Sequence, residues 1–221
     1  MIGLCVLLAA CSGATYSGPE WSARVVDAEN GAPVEGAIVV ARWKLERYSG
    51  RFAGWLFISE AVTNHDGVFH FPAWGPTAAD ADEGMRTRMS PNVPSIAIYK
   101  SNYWILIDGC CGLSGYLSRN YGSGPNTRPS WADGKVFALR PFYGDLHRYR
   151  DDLAQNMPLS GPSCIYTSIP RIYAAAIAEN KRLQKELEYG IPDFTVEQFQ
   201  DDVRFAKCKE TVASSLKRVA K

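Results

Sequence analysis

"TNHDGVFHF", residues Thr63 to Phe71, holds two of the chain's three histidines with an aspartate beside the first. It reads either as a cluster of metal or catalytic groups or as a turn between two strands. Asp-Gly at positions 66 and 67 is a turn signal, because glycine supplies the positive φ that tight reversals need. Beyond it the strand period of two puts Phe69 and Phe71 on one face and Val68 and His70 on the other. The phenylalanines are therefore expected to enter a core and His70 to point outward. His65 and His70 do not share a strand face. A zinc site needs converging ligands, such as two histidines at i, i+4 on a helix, and no HExxH occurs in the chain. A calcium loop would need repeated carboxylates that Asp66 lacks. His147, in "DLHRYR", is expected at the surface. The stretch reads as a hairpin turn with no metal and no cofactor.

Outward from this turn, short apolar runs alternate with turn residues. "WSARVVDA" ends at "ENG", and "APVEGAIVVARWKL", "GWLFISEAVT", "VFHFP", "SIAIYK", "NYWILID" and "KVFALRP" follow. About seven or eight short strands in this rhythm predict a mainly β sandwich. Two stretches interrupt it, at 73–94 and 109–134, and both are expected to be exposed loops. After Pro141 the period changes. "DLHRYRDDLAQN" predicts a short helix. "PRIYAAAIAENKRLQKELEYG" predicts a long one, with Pro170 at its start, Gly190 at its end and Ile172, Ala176, Leu183 and Leu187 along one face. "FTVEQFQDDVRFAKCKETVASSLKRVAK" opens on a capping box, Thr195 with Gln198, and predicts a further helix. The expected organisation is a sandwich over 21–141 and a helical extension, a hairpin of helices, over 142–221.

The stretch from Ala23 to Pro72 resembles carboxypeptidase regulatory-like domains, which are transthyretin-like β-sandwiches. The residues that carry the likeness are Gly31, Pro33, Val34, Gly36, Ala37 and Val39, then Thr63, Gly67 and Phe69. "PSIAIYKSNYW" and "KVFALRP" are similar to that family's later strands. The resemblance implies the fold and says almost nothing about activity.

The N-terminus speaks to location. Ile2 to Ala10 is apolar but too short to span a bilayer, which needs roughly 20 residues, and it has the length of a secretion-signal core. Leu8-Ala9-Ala10-Cys11 resembles the lipobox of bacterial lipoproteins. That resemblance implies a signal peptide over 1–10, cleavage before Cys11, and acyl chains such as palmitate on the Cys11 sulfur and amine. Ser12, where aspartate would signal inner-membrane retention, implies the outer membrane, facing periplasm or surface. Residues 11–20 are small and polar and are expected to serve as a tether.

Four cysteines remain: Cys110, Cys111, Cys164 and Cys208. In an oxidising compartment they read as up to two disulfides. Pairing Cys164 with Cys208 would clamp the helices; the alternative ties Cys110 or Cys111 to the helical part.

The 221 residues are 46% hydrophobic and 21% charged, with a formal net charge of +1. Bulk charge therefore gives no reason to expect nucleic acid as a partner. Neither a GxSxG elbow nor a GxGxxG loop is present. The carboxylate pairs Asp151-Asp152 and Asp201-Asp202 lie in helical segments, where neighbours point apart. No enzyme is expected. A binding role has better support, because loop 109–134 sets Tyr116, Arg119, Tyr121, Arg128 and Trp131 among Gly, Ser and Asn, a mix that resembles recognition loops. The expected function is a non-catalytic, lipid-anchored envelope module, structural or binding a protein or ligand. The alternative is a carbohydrate- or peptide-binding accessory lipoprotein. An enzyme of an unrecognised kind ranks third. The partners are the membrane, through the lipid, and an envelope protein or glycan.

Overall fold

A computed structural model describes residues 14–79, 87–90, 93–108, 130–159 and 164–188, together with positions 208, 214, 215 and 217. The described residues form a β-sandwich with helices packed on one outer face. The strands are β1 (Thr15–Gly18), β2 (Trp21–Asp27), β3 (Ile38–Arg47), β4 (Phe52–Val62), β5 (Val68–Phe71), β6 (Trp74–Ala78), β7 (Thr87–Met89), β8 (Ser95–Tyr99), β9 (Leu106–Asp108) and β10 (Val136–Leu139). The helices are α1 (Leu146–Asn156) and α2 (Pro170–Leu187), with a 3₁₀ turn at Ile165–Thr167 between them.

One sheet has the order β10-β2-β5, with β10 parallel to β2. The other runs β4-β3-β8-β9, and β7 pairs with the far end of β3. A two-stranded ribbon, β1-β6, lies at one end. Alternation in β2 sends Trp21, Ala23 and Val25 inward, and Phe69 and Phe71 of β5 meet them. From the other sheet Trp43, Leu45, Ile96 and Ile98 complete this core. β3 differs from β2 because its apolar run is continuous, the pattern of a strand covered on both faces. Its Val39, Ala41 and Trp43 face the sandwich interior, and Val40 faces outward. Outside, Val40, Ile58 and Tyr99 pack against Tyr149 and Leu153 of α1 and Ile172, Tyr173, Ala176 and Leu183 of α2.

Three short strands lie where the sequence predicts none. β1 falls in the stretch read as tether, and β6 and β7 fall in the stretch 73–94 read as a loop. Glycine and proline interrupt the alternation of β6, and β7 is three residues long. Such segments are strands only because a partner supplies their hydrogen bonds.

The quoted stretch is also corrected. It does not close a hairpin. β4 belongs to one sheet and β5 to the other, so "NHDG" carries the chain across the sandwich. Asn64 shapes the turn, its side chain accepting from the amides of Asp66 (3.0 Å) and Val68 (2.9 Å). Thr63 is buried and holds the β2–β3 connection. Its hydroxyl donates to the Val34 carbonyl at 2.6 Å and accepts from the Ala37 amide at 2.8 Å. Gly67 has φ +72°, and a Cβ there would collide with the Val25 carbonyl. Gly67→Ala is expected to cost about 3 kcal/mol, from the left-handed backbone and the overpacking together. Denaturant unfolding measures it, and a change below about 1 kcal/mol would show that the turn can move off β2.

At the helices, Asp145 caps α1, its side chain accepting from the His147 amide at 2.9 Å. Pro170 begins α2 as expected. α2 ends at Leu187, with Glu188 in the left-handed conformation at its C-cap, before Gly190 is reached. Cys164 is bonded to Cys208, with Cα atoms 5.6 Å apart. Positions 214, 215 and 217 are helical. The capping box at Thr195 and Gln198 lies outside the described residues.

Candidate functional site

His65 and His70 are held apart by the elements that carry them. His65 sits in the turn, with Nε2 3.2 Å from the Asp66 carboxylate and both side chains exposed. His70 lies on the outer face of β5, its Nδ1 2.9 Å from the Ser22 hydroxyl and its Nε2 3.8 Å from Glu20. Asp66 contributes its backbone to the fold, its carbonyl accepting from Arg24 Nε at 2.9 Å. Among the described residues no three His, Cys, Asp or Glu side chains converge as a metal site. His147 is exposed on α1.

The edges of β4 and β5 frame an open cleft of about 460 Å³, lined by Glu60, Asn64, Val68, His70 and Arg171. Glu60 is its most buried ionisable group, with a side chain 3% exposed. Burial lifts its carboxyl above the ordinary value, against the pull of the Arg171 and Ile172 amides and of the Arg171 charge. The cause is architectural. Ile169 precedes α2 and makes no side-chain cap. Glu60 Oε1 and Oε2 instead accept from the amides of Arg171 (2.7 Å) and Ile172 (3.0 Å). A strand carboxylate thus caps the helix and meets the positive end of its dipole. Both oxygens are engaged, so Glu60 joins α2 to the sheet.

A second polar seam joins sheet and helices further along. Ser101 donates to Glu179 Oε2 at 3.1 Å, the Asn102 amide donates to the Tyr149 hydroxyl at 3.2 Å, and Arg182 pairs with both Glu179 and Glu186. Burial raises the phenols of Tyr99 and Tyr149, the latter to about 12. Asp152 accepts from the Ile105 amide at 3.1 Å, so one member of the Asp151-Asp152 pair faces the sheet and not solvent. At the end of β2, Asp27 accepts from the Glu29 and Asn30 amides and from the Tyr103 hydroxyl. The Glu29 amide does most to hold the Asp27 carboxyl below its ordinary value. Each of these displaced groups serves a junction between elements.

The exposed aromatics gather elsewhere. The tip of the β3–β4 hairpin presents Tyr48, 71% exposed, and Phe52, 57% exposed. Phe52 packs edge-on against Trp55 at 5.0 Å, and the Arg88 guanidinium lies 6.0 Å from the Tyr48 ring. Of the other aromatics in this segment, Trp43 and Phe57 belong to the core. Nothing in the strand pattern separates them; the long hairpin carries its tip beyond the sheet it belongs to.

Of the candidate binding loop, Tyr116, Arg119, Tyr121 and Arg128 lie outside the described residues, as do Cys11, Cys110 and Cys111. Trp131 is described and anchors the loop's return. Its indole N–H donates to the Pro94 carbonyl at 2.7 Å, its ring meets Phe137 edge-on at 6.2 Å, and Lys135 Nζ sits 4.3 Å from its centroid.

No family model matches the chain, and no curated protein matches it. Among solved structures it is similar to a 3-chlorocatechol 1,2-dioxygenase from Rhodococcus opacus, at 16% identity and TM-score 0.30 over 60% of this chain and 63% of that one. It is also similar to the shaft pilin SpaA of Lactobacillus rhamnosus GG, at 11% identity and TM-score 0.25 over 60% of this chain and 48% of the pilin. A 9R-lipoxygenase from Cyanothece matches at 9% identity and TM-score 0.27 over 78% of this chain and 26% of the enzyme. The chain spans less than two thirds of each of these proteins.

Proposed function

We propose that this chain is a non-catalytic, lipid-anchored module of the bacterial cell envelope, built on a carboxypeptidase regulatory-like sandwich. It is held by acyl chains on Cys11 at the outer membrane. The observation that carries the reading is the place of the first described strand. β1 starts at Thr15, four residues after the lipobox cysteine, so a lipid on Cys11 would hold the sandwich close against the membrane. The ionisable groups with displaced pKa values support a non-catalytic role, because Glu60, Asp27 and Tyr149 are each engaged in bonds between separate parts of the fold, to α2, to Tyr103 and to Asn102. Chemistry at a site needs such groups converging on a space for substrate.

The binding surface in this reading is loop 109–134, rooted on Trp131. Pro94, to which Trp131 is bonded, leads into β8, and Asp108 ends β9 beside Ile96 of the same strand. Both roots lie toward the end of the sandwich at which Ala14 lies. A partner engaged there would be resident in the membrane or in the glycan layer next to it, an envelope protein, a peptide or a carbohydrate.

Cys11→Ala is expected to move the protein from the membrane fraction to the soluble fraction. Retention on membranes would overturn the lipid anchor. Crosslinking in the native envelope, repeated with Tyr116→Ala and Tyr121→Ala, tests the binding surface. Loss of a crosslinked partner supports it, and an unchanged pattern counts against it.

A further inference from the structure

We infer that the Tyr48–Phe52 hairpin tip docks into the headgroup layer of the phospholipid membrane that holds the lipid on Cys11; this rests on the anchor proposed above. The first support is direction. β6 runs from Trp74 beside Trp43 to Ala78, and β1 pairs with it antiparallel, Thr15 opposite Ala78. The Ala79 amide donates to the Ala14 carbonyl at 3.2 Å, so the described chain begins at the end of this ribbon away from Trp74. From there the Tyr16 hydroxyl reaches the Thr87 carbonyl at 3.5 Å, and Thr87 is paired with Arg47, the residue before Tyr48. Ala14 and the hairpin tip thus share one end of the described structure. The turns at Asn30-Gly31 and Asn64–Gly67 lie at the other.

The second support is length. Three residue steps separate Cys11 from Ala14, a reach of about 10 Å when extended. A lipid on Cys11 would therefore keep this end within a headgroup layer's thickness of the bilayer. The third is composition. Tyr48 and Phe52 are large, exposed and adjacent across the turn, with the exposed Arg51 between them and Arg88, paired with Glu46 at 3.0 Å, beside the Tyr48 ring. A tyrosine ring with its polar tip settles at the membrane interface, a phenylalanine ring enters the acyl boundary beside it, and an arginine such as Arg51 reaches the phosphates from there. Among the described residues, the other exposed large apolar ones, Val62, Ile107, Val136 and Tyr143, are scattered, and the Tyr143 hydroxyl bonds Glu29 at the opposite end. Single residues of that kind need no partner.

Charge does not carry the docking. The seven residues between Ala79 and Thr87 include three acids and one arginine, which offsets the tip's arginines on an anionic surface. The rings carry it, and a weak contact suffices, because the lipid makes it intramolecular.

The test uses the full lipidated chain in phosphatidylethanolamine/phosphatidylglycerol vesicles, beside the same chain in detergent. Trypsin cutting after Arg47 and Arg51 is followed by mass, with cutting after Arg148 on α1 as reference. On vesicles the tip sites are expected to be cut about tenfold more slowly than in detergent, relative to Arg148. Tyr48→Ser with Phe52→Ser should remove that protection while the chain still floats with the vesicles. Both residues are exposed, so thermal melting should be unchanged. Equal cutting on vesicles and in detergent would overturn the inference, as would protection that survives the double substitution. Protection that instead appears only with envelope extract would assign the tip to a protein or glycan and overturn membrane docking. Failure of the parent chain to float would count against the lipid anchor, a separate readout from protection at the tip.

Discussion

Cys164→Ser is expected to lower the unfolding free energy by about 4 kcal/mol, the loop-closure entropy for a bridge spanning 44 residues. The bridge matters here because the helices are a cover and not a core of their own. Tyr149, Leu153, Ile172, Tyr173 and Leu183 are buried by the outer face of the β3–β4–β8 sheet. Cys208 packs at the edge of that cluster. Without the bond, the chain beyond α2 loses its covalent tie to the residue just before the 3₁₀ turn at Ile165–Thr167. Denaturant unfolding of Cys164→Ser, Cys208→Ser and the double variant measures the effect. The two single variants should agree within about 1 kcal/mol, and the double should cost no more than either, since one bond is lost in all three. Unchanged stability, or costs that add, would mean that the two sulfurs act separately.

Trp43→Ala is expected to cost about 3–5 kcal/mol, the range for removing a large aromatic from a core that cannot collapse around the gap. Trp43 is 3% exposed on the central strand β3. Its ring lies 5.4 Å from Phe57, 5.3 Å from Trp74 and 6.4 Å from Phe71. These rings come from β4, β6 and β5, so one side chain joins both sheets and the β1–β6 ribbon. Covered on both faces, β3 has little room to shift into the space. Trp43→Phe keeps part of the contact and should cost about 1–2 kcal/mol. Loss of cooperative unfolding in Trp43→Ala would be a stronger form of the same result, and a cost below about 1 kcal/mol would remove Trp43 from the centre of the core.

Much of the architecture was legible because it rests on local rules. Phe69 and Phe71 face inward by strand period alone, and Ile172, Ala176 and Leu183 line one face of α2 by helical period. β1, β6 and β7 are not legible in this way because TYSG, WGPTA and TRM hold one large apolar residue each and show no alternation, and glycine or proline breaks the first two. The role of Glu60 was equally hidden. It looks like one more charge on an edge strand until α2, more than a hundred residues later, places its amides on both carboxylate oxygens. Asn64 and Thr63 carried a weak signal, since both types bond nearby backbone. The bonds of Asn64 stay within its turn, but those of Thr63 reach Val34 and Ala37, about thirty residues earlier at the entry to β3, and that depends on the fold.

The stretch Thr63–Phe71 shows the division most directly. By itself the sequence determined that a turn occurs there, that glycine stands at position 67 and that the two phenylalanines are buried, because turn chemistry and side-chain alternation act over a few residues. Tertiary structure decided that the turn crosses between sheets and that Gly67 must be small because Val25 passes against it. Those outcomes depend on which distant strand lies alongside, and pairing between distant segments is set by the packing of the whole chain.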